Sequence, residues 1–209
     1  MPTETPTLPA LPRAAISHIR LLVVDDHPAL RTGLRDLLDD QPDFRVVASA
    51  ARAKEGLALA GRTELDVAIV DYQLEGHDGL WLCRKLKRLP RPPRVIIYSA
   101  HADARLGAAA VVAQADALIS KGLVGAEMWE AIRAVAGGRR LLPGVPPRLG
   151  DAIRGQLDHE EQAIFGMLWA GASPAEIAGT LGITRAGLEA RLGTMLHTLQ
   201  RLPAAGRSR

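Results

Sequence analysis

The chain has 209 residues, 47% of them hydrophobic, a formal net charge of +3 and one cysteine, Cys83. A single cysteine excludes an internal disulfide, and no apolar run approaches the roughly 20 residues that a membrane-spanning helix requires. The composition therefore predicts one large or two small domains, a cytoplasmic location and no association with a membrane.

The N-terminal segment, residues 1–17, contains four prolines and no apolar core of a signal sequence. We therefore predict a disordered, Pro-rich tail and not a secretion signal. Regular structure is expected to begin at about residue 18.

From residue 18 onward, short apolar runs alternate with segments of helical periodicity. This alternation is typical of parallel βαβ units, so residues 18–138 are predicted to form an α/β domain. Five such units give a doubly wound, five-stranded parallel sheet with helices on both faces. The predicted strands are 19–25, 44–50, 65–71, 94–99 and 115–120, and the predicted helices are 28–40, 52–61, 80–89, 103–113 and 124–137.

A different pattern follows the predicted sheet. Residues 139–155 are rich in Gly and Pro and are interpreted as a linker. Residues 156–202 contain short helical segments separated by tight turns, which predicts a small all-α domain with a helix-turn-helix. Residues 203–209 are expected to be a flexible C-terminal tail.

Local signals define the helices of the second domain. Asp158 and Ser173 each precede a helical segment and are followed three residues later by glutamate, which is the pattern of a capping box. Gly182 is expected to end the second helix, and Thr184 to cap the third. Two short helices joined at a glycine are typical of a helix-turn-helix, whose second helix enters the major groove of DNA.

Polar side chains gather at the carboxyl ends of the predicted strands. Asp25 and Asp26 follow the first strand, Asp71 ends the third, Ser99 ends the fourth and Lys121 follows the fifth. In a doubly wound sheet the carboxyl ends of the strands form the binding edge, so these five residues are expected to converge. The alternative is that each is a solvated polar group at a strand end.

Three carboxylates in one place need a compensating charge, and a hard divalent cation such as Mg²⁺ would supply it. We expect Asp26 and Asp71 to bind Mg²⁺ directly, Asp25 directly or through water, and the Gln73 backbone carbonyl to complete the set. The remaining chemistry fits phosphoryl transfer to a carboxylate. Lys121 and the Ser99 hydroxyl would then contact the phosphoryl oxygens.

Four segments, VVDDHPALRTGL, VDYQLEGHDGL, VIIYSAH and ALISKG, resemble the receiver domain of bacterial two-component response regulators. The resemblance implies a flavodoxin-like fold in which Asp71 accepts phosphate from the phosphohistidine of a sensor histidine kinase. It also implies that Asp25 and Asp26 hold Mg²⁺. Ser99 would be the switch hydroxyl, and Lys121 the phosphoryl-binding lysine.

Receivers of this kind usually carry an aromatic residue three positions before the lysine, and this chain has Leu118 there. The aromatic residue normally changes rotamer as the switch hydroxyl moves, so this route of signalling is in question. The face formed by the fourth helix, fifth strand and fifth helix is the expected switching and dimerisation surface. Trp129 is its candidate exposed anchor, with a half-buried core position as the alternative.

The segment AGASPAEIAGTLGIT resembles the output domain of LuxR/NarL-type regulators. The resemblance implies a transcription regulator that binds DNA as a homodimer when Asp71 is phosphorylated. Arg185 and Arg191 are the expected groove or phosphate contacts, and Thr184 is expected to donate to the DNA backbone. Glu189 is expected on the same outward face.

The balance of acidic and basic residues in the output domain favours a second interpretation of its function. Residues 156–209 hold five basic and five acidic residues, whereas DNA binding draws much of its affinity from Lys and Arg. The alternative is a degenerate helix-turn-helix that contacts a protein partner under control of phosphorylation. No second catalytic constellation, P-loop or metal-binding His/Cys spacing is present, so an enzyme is not expected.

Overall fold

The computed structural model describes residues 18–202. The predicted tails, 1–17 and 203–209, lie outside the described residues. Within the described range the five strands form one parallel sheet in the order β2-β1-β3-β4-β5, with helices on both faces. The predicted doubly wound α/β architecture, followed by a helical region, is therefore confirmed.

The boundaries of the elements agree with the sequence patterns to within a few residues. The strands are β1 Ile19–Val24, β2 Phe44–Ala50, β3 Val67–Asp71, β4 Arg94–Ser99 and β5 Ala117–Ser120. The helices are α1 Pro28–Asp39, α2 Ala53–Ala60, α3 Gly79–Leu86, α4 Ala104–Val112, α5 Ala126–Ala136, α6 Pro147–Arg154, α7 His159–Trp169, α8 Pro174–Leu181 and α9 Arg185–Arg201.

Strand register places the predicted site residues at one edge of the sheet. Asp71 of β3 lies beside Tyr98 of β4, the residue before Ser99. Ser99 in turn pairs with Ser120, the residue before Lys121. Because all five strands run in the same direction, their carboxyl ends meet at this edge.

One face of the sheet packs against α1 and α5. Phe44 and Trp129 meet edge to face in this layer, with ring centroids 6.2 Å apart. Trp129 is only 9% exposed. The prediction that Trp129 is an exposed anchor is therefore wrong, and its core interpretation holds, because this bulky side chain fills the space between α5 and the start of β2.

The opposite face of the sheet packs against α2, α3 and α4. Residues 106–112 of α4 are all buried, because α4 lies between the sheet on one side and α7 and α9 on the other. Small side chains make this double contact feasible, since Ala108–Ala110 leave room for the neighbouring helices, and Gly107 for Pro143, whose Cγ would lie 2.5 Å from a Cβ atom at that position. One apolar cluster consequently runs from β1 and β3 through α4 into the C-terminal helices.

The segment predicted as a linker, residues 139–155, contains regular structure. Helix α6 begins at Pro147, a residue type that is favoured in the first helical turn, and its Ile153 is buried in the shared core. Upstream, the Leu141 amide donates to Asp116 O. The connection is thus packed against the α/β domain along part of its length.

The helix-turn-helix forms as the local signals predict. Asp158 and Ser173 both complete capping boxes, with reciprocal bonds between each cap and the glutamate three residues later. Gly182 adopts a left-handed conformation, φ 65°, which ends α8. The Thr184 side chain accepts from the Gly187 amide at the start of α9.

Among the described residues, 18–202, no helix is both long enough and apolar enough to cross a membrane.

Candidate functional site

The first strand delivers two adjacent aspartates to the edge of the sheet. Asp25 is 2% exposed, and its Oδ1 accepts from the His27 amide at 2.8 Å, which fixes the turn that leads into α1. Arg31 of α1 donates to the Asp25 carbonyl at 2.7 Å. The Asp26 side chain is partly exposed and lies 2.7 Å from His27 Nδ1.

Asp71 ends the central strand and is 3% exposed. Its Oδ1 accepts from the Gln73 amide at 3.2 Å, so the loop after β3 folds back over the carboxylate. Helix α3 starts unusually close to this point. A Cβ atom on Gly79 would lie 2.3 Å from the Asp71 carbonyl oxygen, so only glycine fits there.

Lys121 joins the two buried carboxylates. Its Nζ lies 2.8 Å from Asp25 Oδ2 and 2.8 Å from Asp71 Oδ2, and the side chain is 17% exposed. The Lys121 amide donates to the Ser99 carbonyl at 2.8 Å, which anchors the end of β5 to the end of β4. The ammonium group therefore bridges the ends of β1 and β3.

Burial and the neighbouring charges have opposite effects on the pKa values in this cluster. Burial is the largest cause of a raised pKa at Asp71; the Lys121 ammonium acts against it, and the charge of Asp25 adds to it. For Lys121, burial disfavours the charged form, but the carboxylates of Asp25 and Asp71 outweigh burial and raise the pKa of the amine. Lys121 is consequently held in its charged form, next to a carboxylate that is costly to ionise.

The donor set fits a hard cation. Ligand atoms of Asp25, Asp26, His27 and Asp71 lie within 4.8 Å of one another. Two buried oxygens of the set, Asp26 Oδ1 and Asp71 Oδ2, have no hydrogen bond of good geometry from the described residues. Their nitrogen neighbours are His27 Nδ1, 2.7 Å from Asp26 Oδ1, and Lys121 Nζ, 2.8 Å from Asp71 Oδ2. Carboxylate oxygens with spare coordination capacity are the ligands that Mg²⁺ and Ca²⁺ prefer.

Ser99 and Gln73 border the same cluster. Ser99 is 3% exposed, and its hydroxyl oxygen accepts from the His101 amide at 3.1 Å. The Gln73 side chain is exposed, whereas its backbone belongs to the loop that covers Asp71. The structure thus brings all the residues of the predicted phosphorylation pocket to one edge of the sheet.

Residues 21–133 match the family model of the response regulator receiver domain, and this match covers more than half of the chain. The chain belongs to the response regulators. The match includes β1 from Leu21 onward and all of β2 to β5. It also includes the residues at the carboxyl ends of the strands that we call the acidic edge: Asp25, Asp26, Asp71, Ser99 and Lys121.

Relatives extend the likeness beyond the receiver domain. The transcriptional regulatory protein LiaR of Bacillus subtilis is 30% identical over 191 residues, which are 87% of this chain and 90% of LiaR. The DNA-binding transcriptional activator DevR/DosR of Mycobacterium tuberculosis is 31% identical over 172 residues, 77% of this chain and 78% of that protein.

A solved structure supports the same assignment. A LuxR-family two-component response regulator from Aurantimonas sp. is 32% identical with a TM-score of 0.57, covering 66% of this chain and 97% of that one. This response regulator is therefore of the LuxR/NarL type, as the helix-turn-helix segment predicts.

The predicted DNA contacts have different environments. Thr184 and Arg185 lie exposed at the start of α9. Arg191 is held by two carboxylates of the output domain, Asp158 at 3.1 Å and Glu160 at 2.5 Å. The Arg191 guanidinium thus ties α9 to the start of α7 in this arrangement.

The prediction that Glu189 faces outward is wrong. Its carboxylate is 2.9 Å from Arg84 Nη2 and also pairs with Arg88, both near the end of α3. Arg84 additionally donates to the Glu189 carbonyl at 2.6 Å. The face of α9 that carries Glu189 therefore lies against the receiver domain, because the apolar side of α9 packs on α4 and this fixes the rotation of the helix.

Sequence reasoning missed two features of the site. The first is Gly79, whose close approach to Asp71 follows from the tight turn into α3; the segment HDGL, in which an aspartate caps a helix that starts with glycine, was the available signal. The second is the contact of α9 with Arg84 and Arg88. The sequence carries no signal for it beyond a cluster of basic residues near 84–94.

Proposed function

We propose that this response regulator is phosphorylated on Asp71 by a sensor histidine kinase in a Mg²⁺-dependent reaction. The observation that carries the proposal is the placement of Lys121 Nζ, 2.8 Å from both Asp25 and Asp71 at a buried edge. An anionic phosphoryl group entering this edge would meet a fixed ammonium group. The edge also carries ligand atoms of Asp25, Asp26 and Asp71 that lie within 4.8 Å of one another, as a shared cation requires.

Asp25, Asp26 and Asp71 would hold Mg²⁺ with their carboxylates, and Gln73 with its backbone carbonyl. The ion would supply positive charge that offsets the repulsion between the carboxylates and the incoming phosphoryl group. In the transfer, an Asp71 oxygen forms a bond to phosphorus as the phosphorus–nitrogen bond of phosphohistidine breaks. The electron pair of that bond stays on the imidazole nitrogen.

Two groups of the chain would hold the phosphoryl oxygens once the transfer is complete. Lys121 offers its ammonium group, which the two carboxylates keep protonated. The Ser99 hydroxyl has one proton to donate to a phosphoryl oxygen, in addition to the bond that it accepts from the His101 amide. The buried edge limits access of water, which lengthens the lifetime of the acyl phosphate.

The test is the intact mass of the chain after incubation with acetyl phosphate and Mg²⁺. We expect one phosphate adduct for the wild type and for the matched variant Asp43→Asn, which changes an aspartate far from the edge. Asp71→Asn is expected to give no adduct, and EDTA is expected to prevent labelling of the wild type. An adduct on Asp71→Asn, or equal labelling in EDTA, would disprove the assignment.

For the output, we propose control of transcription through DNA binding by the helix-turn-helix, as a homodimer on a two-fold site. The LuxR/NarL relationship supports this function, as does the exposure of Thr184 and Arg185 at the start of α9. In the present arrangement the remainder of α9 packs against α4, so entry into a major groove requires the output domain to leave the receiver. The cytoplasm is the expected location.

A protein-binding output is the second candidate, and one observation favours it. Arg191 is neutralised within the domain by Asp158 and Glu160, which leaves few cations for DNA phosphates. Selection from random DNA at about 50 mM salt, with and without beryllofluoride, separates the candidates. Enrichment of a two-fold sequence that weakens with Arg185→Ala supports transcriptional control, and no enrichment in either state supports the protein-binding module.

A further inference from the structure

A cleft lies between the receiver and the output domain, at the end of the sheet that is away from Asp71. The receiver contributes the start of β4 and the end of α4, and the output domain contributes the end of α7, helix α8 and the first residue of α9. The volume of the cleft is about 550 Å³, within the roughly 300–1,000 Å³ that is typical of small-molecule sites. We call it the interdomain cleft, and its walls include Arg94, Val111, Gln114, Leu168, Ala178 and Arg185.

The buried residues that line the interdomain cleft are aliphatic, with the exception of Asp116. Val111 of α4 and Leu168 of α7 are 1% and 3% exposed, and Pro174 and Ala178 of α8 line the same space. Among the described residues that line the cleft, none is aromatic. An aliphatic chain that enters the cleft would therefore bury its methylene groups against side chains of its own kind.

Two of the cations in the cleft share one carboxylate. Arg94 Nη1 lies 3.0 Å from Asp116 Oδ1, and Lys87 pairs with the other oxygen, Oδ2. Asp116 Oδ2 also accepts from the Val95 amide at 2.7 Å, which fixes the carboxylate at the start of β4. One negative charge thus faces two positive charges, so this group keeps an excess of positive charge.

Two further arginines of the cleft, Arg140 and Arg185, have no carboxylate partner among residues 18–202. Arg140 Nη1 donates to the Leu168 carbonyl at 2.8 Å, and this acceptor is neutral. Arg185 is exposed at the start of α9. Of the described residues that line the cleft, four are therefore cationic, with Lys87 and Arg94 as the others, and only Asp116 is acidic.

Gln114 lines the cleft in a backbone conformation that favours glycine. Its φ is 65°, the only positive value at a non-glycine position among the described residues. The amides of Gln114 and Ala115 donate to the carbonyls of Val111 and Ala110, which is the Schellman motif at the end of α4. Glycine would form this turn with less strain, so the glutamine side chain is retained at a cost in folding free energy. Strained positions concentrate at functional sites, and this one lies in the wall of the cleft.

We propose that the interdomain cleft binds an aliphatic carboxylate of medium chain length, such as octanoate. The chain would lie against the aliphatic residues, and the carboxylate would lie at Arg140 and Arg185, with the Gln114 amide as a further donor. Four cations against one carboxylate select an anion, and the aliphatic lining selects a chain. The site is separate from the acidic edge, because Arg94 and Ser99 lie at opposite ends of β4, about 17 Å apart along the strand.

Both domains line the cleft, so it is complete only in the closed arrangement, in which α9 packs on α4. A ligand that binds this arrangement, and not the unfolded chain, stabilises the protein increasingly as its concentration rises. Octanoate is therefore expected to raise the midpoint of thermal unfolding of the full chain in a concentration-dependent way. No change in the midpoint at a saturating concentration would contradict the proposal.

Isothermal titration calorimetry of the full chain with octanoate tests the site directly. We expect saturable binding of one octanoate per chain. Acetate lacks the chain, and octylamine has the chain with the opposite charge, so each is expected to bind at least about tenfold more weakly. The proposal is overturned if octanoate does not bind at a single site, or if acetate or octylamine binds as tightly as octanoate.

Arg185→Gln removes a positive charge from the cleft without breaking an ion pair within the described chain. We expect it to weaken binding of octanoate about tenfold. Arg148→Gln is the matched control, because Arg148 is an exposed arginine of α6 that does not line the cleft, and it should bind octanoate as the wild type does. Equal losses in the two variants would indicate a general effect of net charge and would overturn the site.

Gln114→Gly separates binding from stability. Glycine relieves the left-handed backbone, so the midpoint of denaturant unfolding should rise, whereas loss of the amide should weaken binding of octanoate about threefold. A purely structural role for Gln114 does not predict opposite changes in the two measurements. Wild-type affinity in Gln114→Gly would contradict the placement of the carboxylate beside this residue.

Amide chemical shifts of the full chain locate the bound octanoate. The largest changes are expected at Gln114, Ala115 and Ala178, and no change is expected at Asp71 or Lys121. Changes that are largest on any other surface would overturn the assignment, even if one octanoate binds per chain.

Discussion

The receiver and the output domain each contain a cation held between two carboxylates, in different surroundings. Lys121 lies between Asp25 and Asp71, whose side chains are 2% and 3% exposed. Arg191 lies between Asp158 and Glu160, whose side chains are 58% and 33% exposed. The same charge pattern therefore occurs once in a buried edge and once at the surface.

This difference in burial separates a reactive site from a structural tie. In the receiver, burial raises the pKa of Asp71, and its carboxylate lies close to that of Asp25, so a bound cation would relieve the cost of ionising Asp71. At the surface, water screens the charges around Arg191, and Asp158 also serves as a helix cap. The same arrangement of one cation and two carboxylates can bind a ligand when burial in the fold excludes water from it.

Removal of each cation is the strongest test of whether burial distinguishes the two clusters of charge. Lys121→Met leaves two buried carboxylates without a partner, so unfolding at pH 8 without Mg²⁺ is expected to become easier by about 2–4 kcal/mol. Added Mg²⁺ should recover part of this loss. Arg191→Met is the matched control and should change stability far less, as is usual for exposed ion pairs.

Denaturant unfolding of both variants, with and without Mg²⁺, measures these changes. Equal losses for Lys121→Met and Arg191→Met would show that burial does not distinguish the two triads. A Lys121→Met protein that Mg²⁺ fails to stabilise would argue against a cation site at the acidic edge.

A second variant tests the close approach that holds Asp71. Gly79→Ala places a methyl group 2.3 Å from the Asp71 carbonyl oxygen, so the backbone must shift. We expect a loss of about 1–3 kcal/mol in stability and a slower labelling by acetyl phosphate. Gly33→Ala, in α1 with no atom within 4 Å of the added group, should label at the wild-type rate.

The rates of labelling by acetyl phosphate and the unfolding curves of Gly79→Ala and Gly33→Ala test whether the start of α3 positions Asp71. The interpretation fails if Gly79→Ala is phosphorylated as fast as Gly33→Ala, because Asp71 would then not depend on the start of α3 for its position.

The smallest expected effect concerns the contact between the two regions. Burial alone would raise the pKa of Glu189, but hydrogen bonds from Arg88 and Arg84 outweigh it and hold the pKa below its usual value of 4.5. A lowered carboxyl pKa stabilises the closed arrangement above that value, and this contribution is lost as the pH falls through the lowered pKa. Glu189→Gln should therefore reduce stability by about 1–2 kcal/mol at neutral pH.

The difference between wild type and Glu189→Gln should stay constant from about pH 6 to 8 and shrink below pH 4.5. Thermal unfolding across that pH range measures it, with Glu75→Gln, in an exposed ion pair with Arg52, as the control. A difference that grows as the pH falls would contradict the contact with Arg84 and Arg88.

The acidic edge and the helix caps were predictable because their causes are local or topological. The ends of parallel strands must meet, so Asp25, Asp71 and Lys121 follow from the order of apolar runs. The capping boxes at Asp158 and Ser173 depend on residues three positions apart. Each prediction required only a short stretch of sequence and one rule of geometry.

The contact between α9 and the receiver was not predictable in the same way. Glu189 meets Arg84 across 105 positions of sequence, and the rotation of α9 is set by its packing on the small side chains of α4. An amphipathic pattern shows which side of a helix is apolar but does not show what covers the neighbouring polar residues. Helix α6 was missed for a related reason, since its Gly- and Pro-rich surroundings are typical of a linker.

Chemical mapping of the phosphorylated residue tests the central claim most directly. The full chain is labelled with acetyl phosphate in Mg²⁺, reduced with borohydride, which converts an aspartyl phosphate to homoserine, and digested for peptide sequencing by mass spectrometry. We predict homoserine at position 71 alone, and none in EDTA. Homoserine at Asp25, Asp26 or an aspartate away from the edge, or equal conversion of Asp71 in EDTA, would contradict the account.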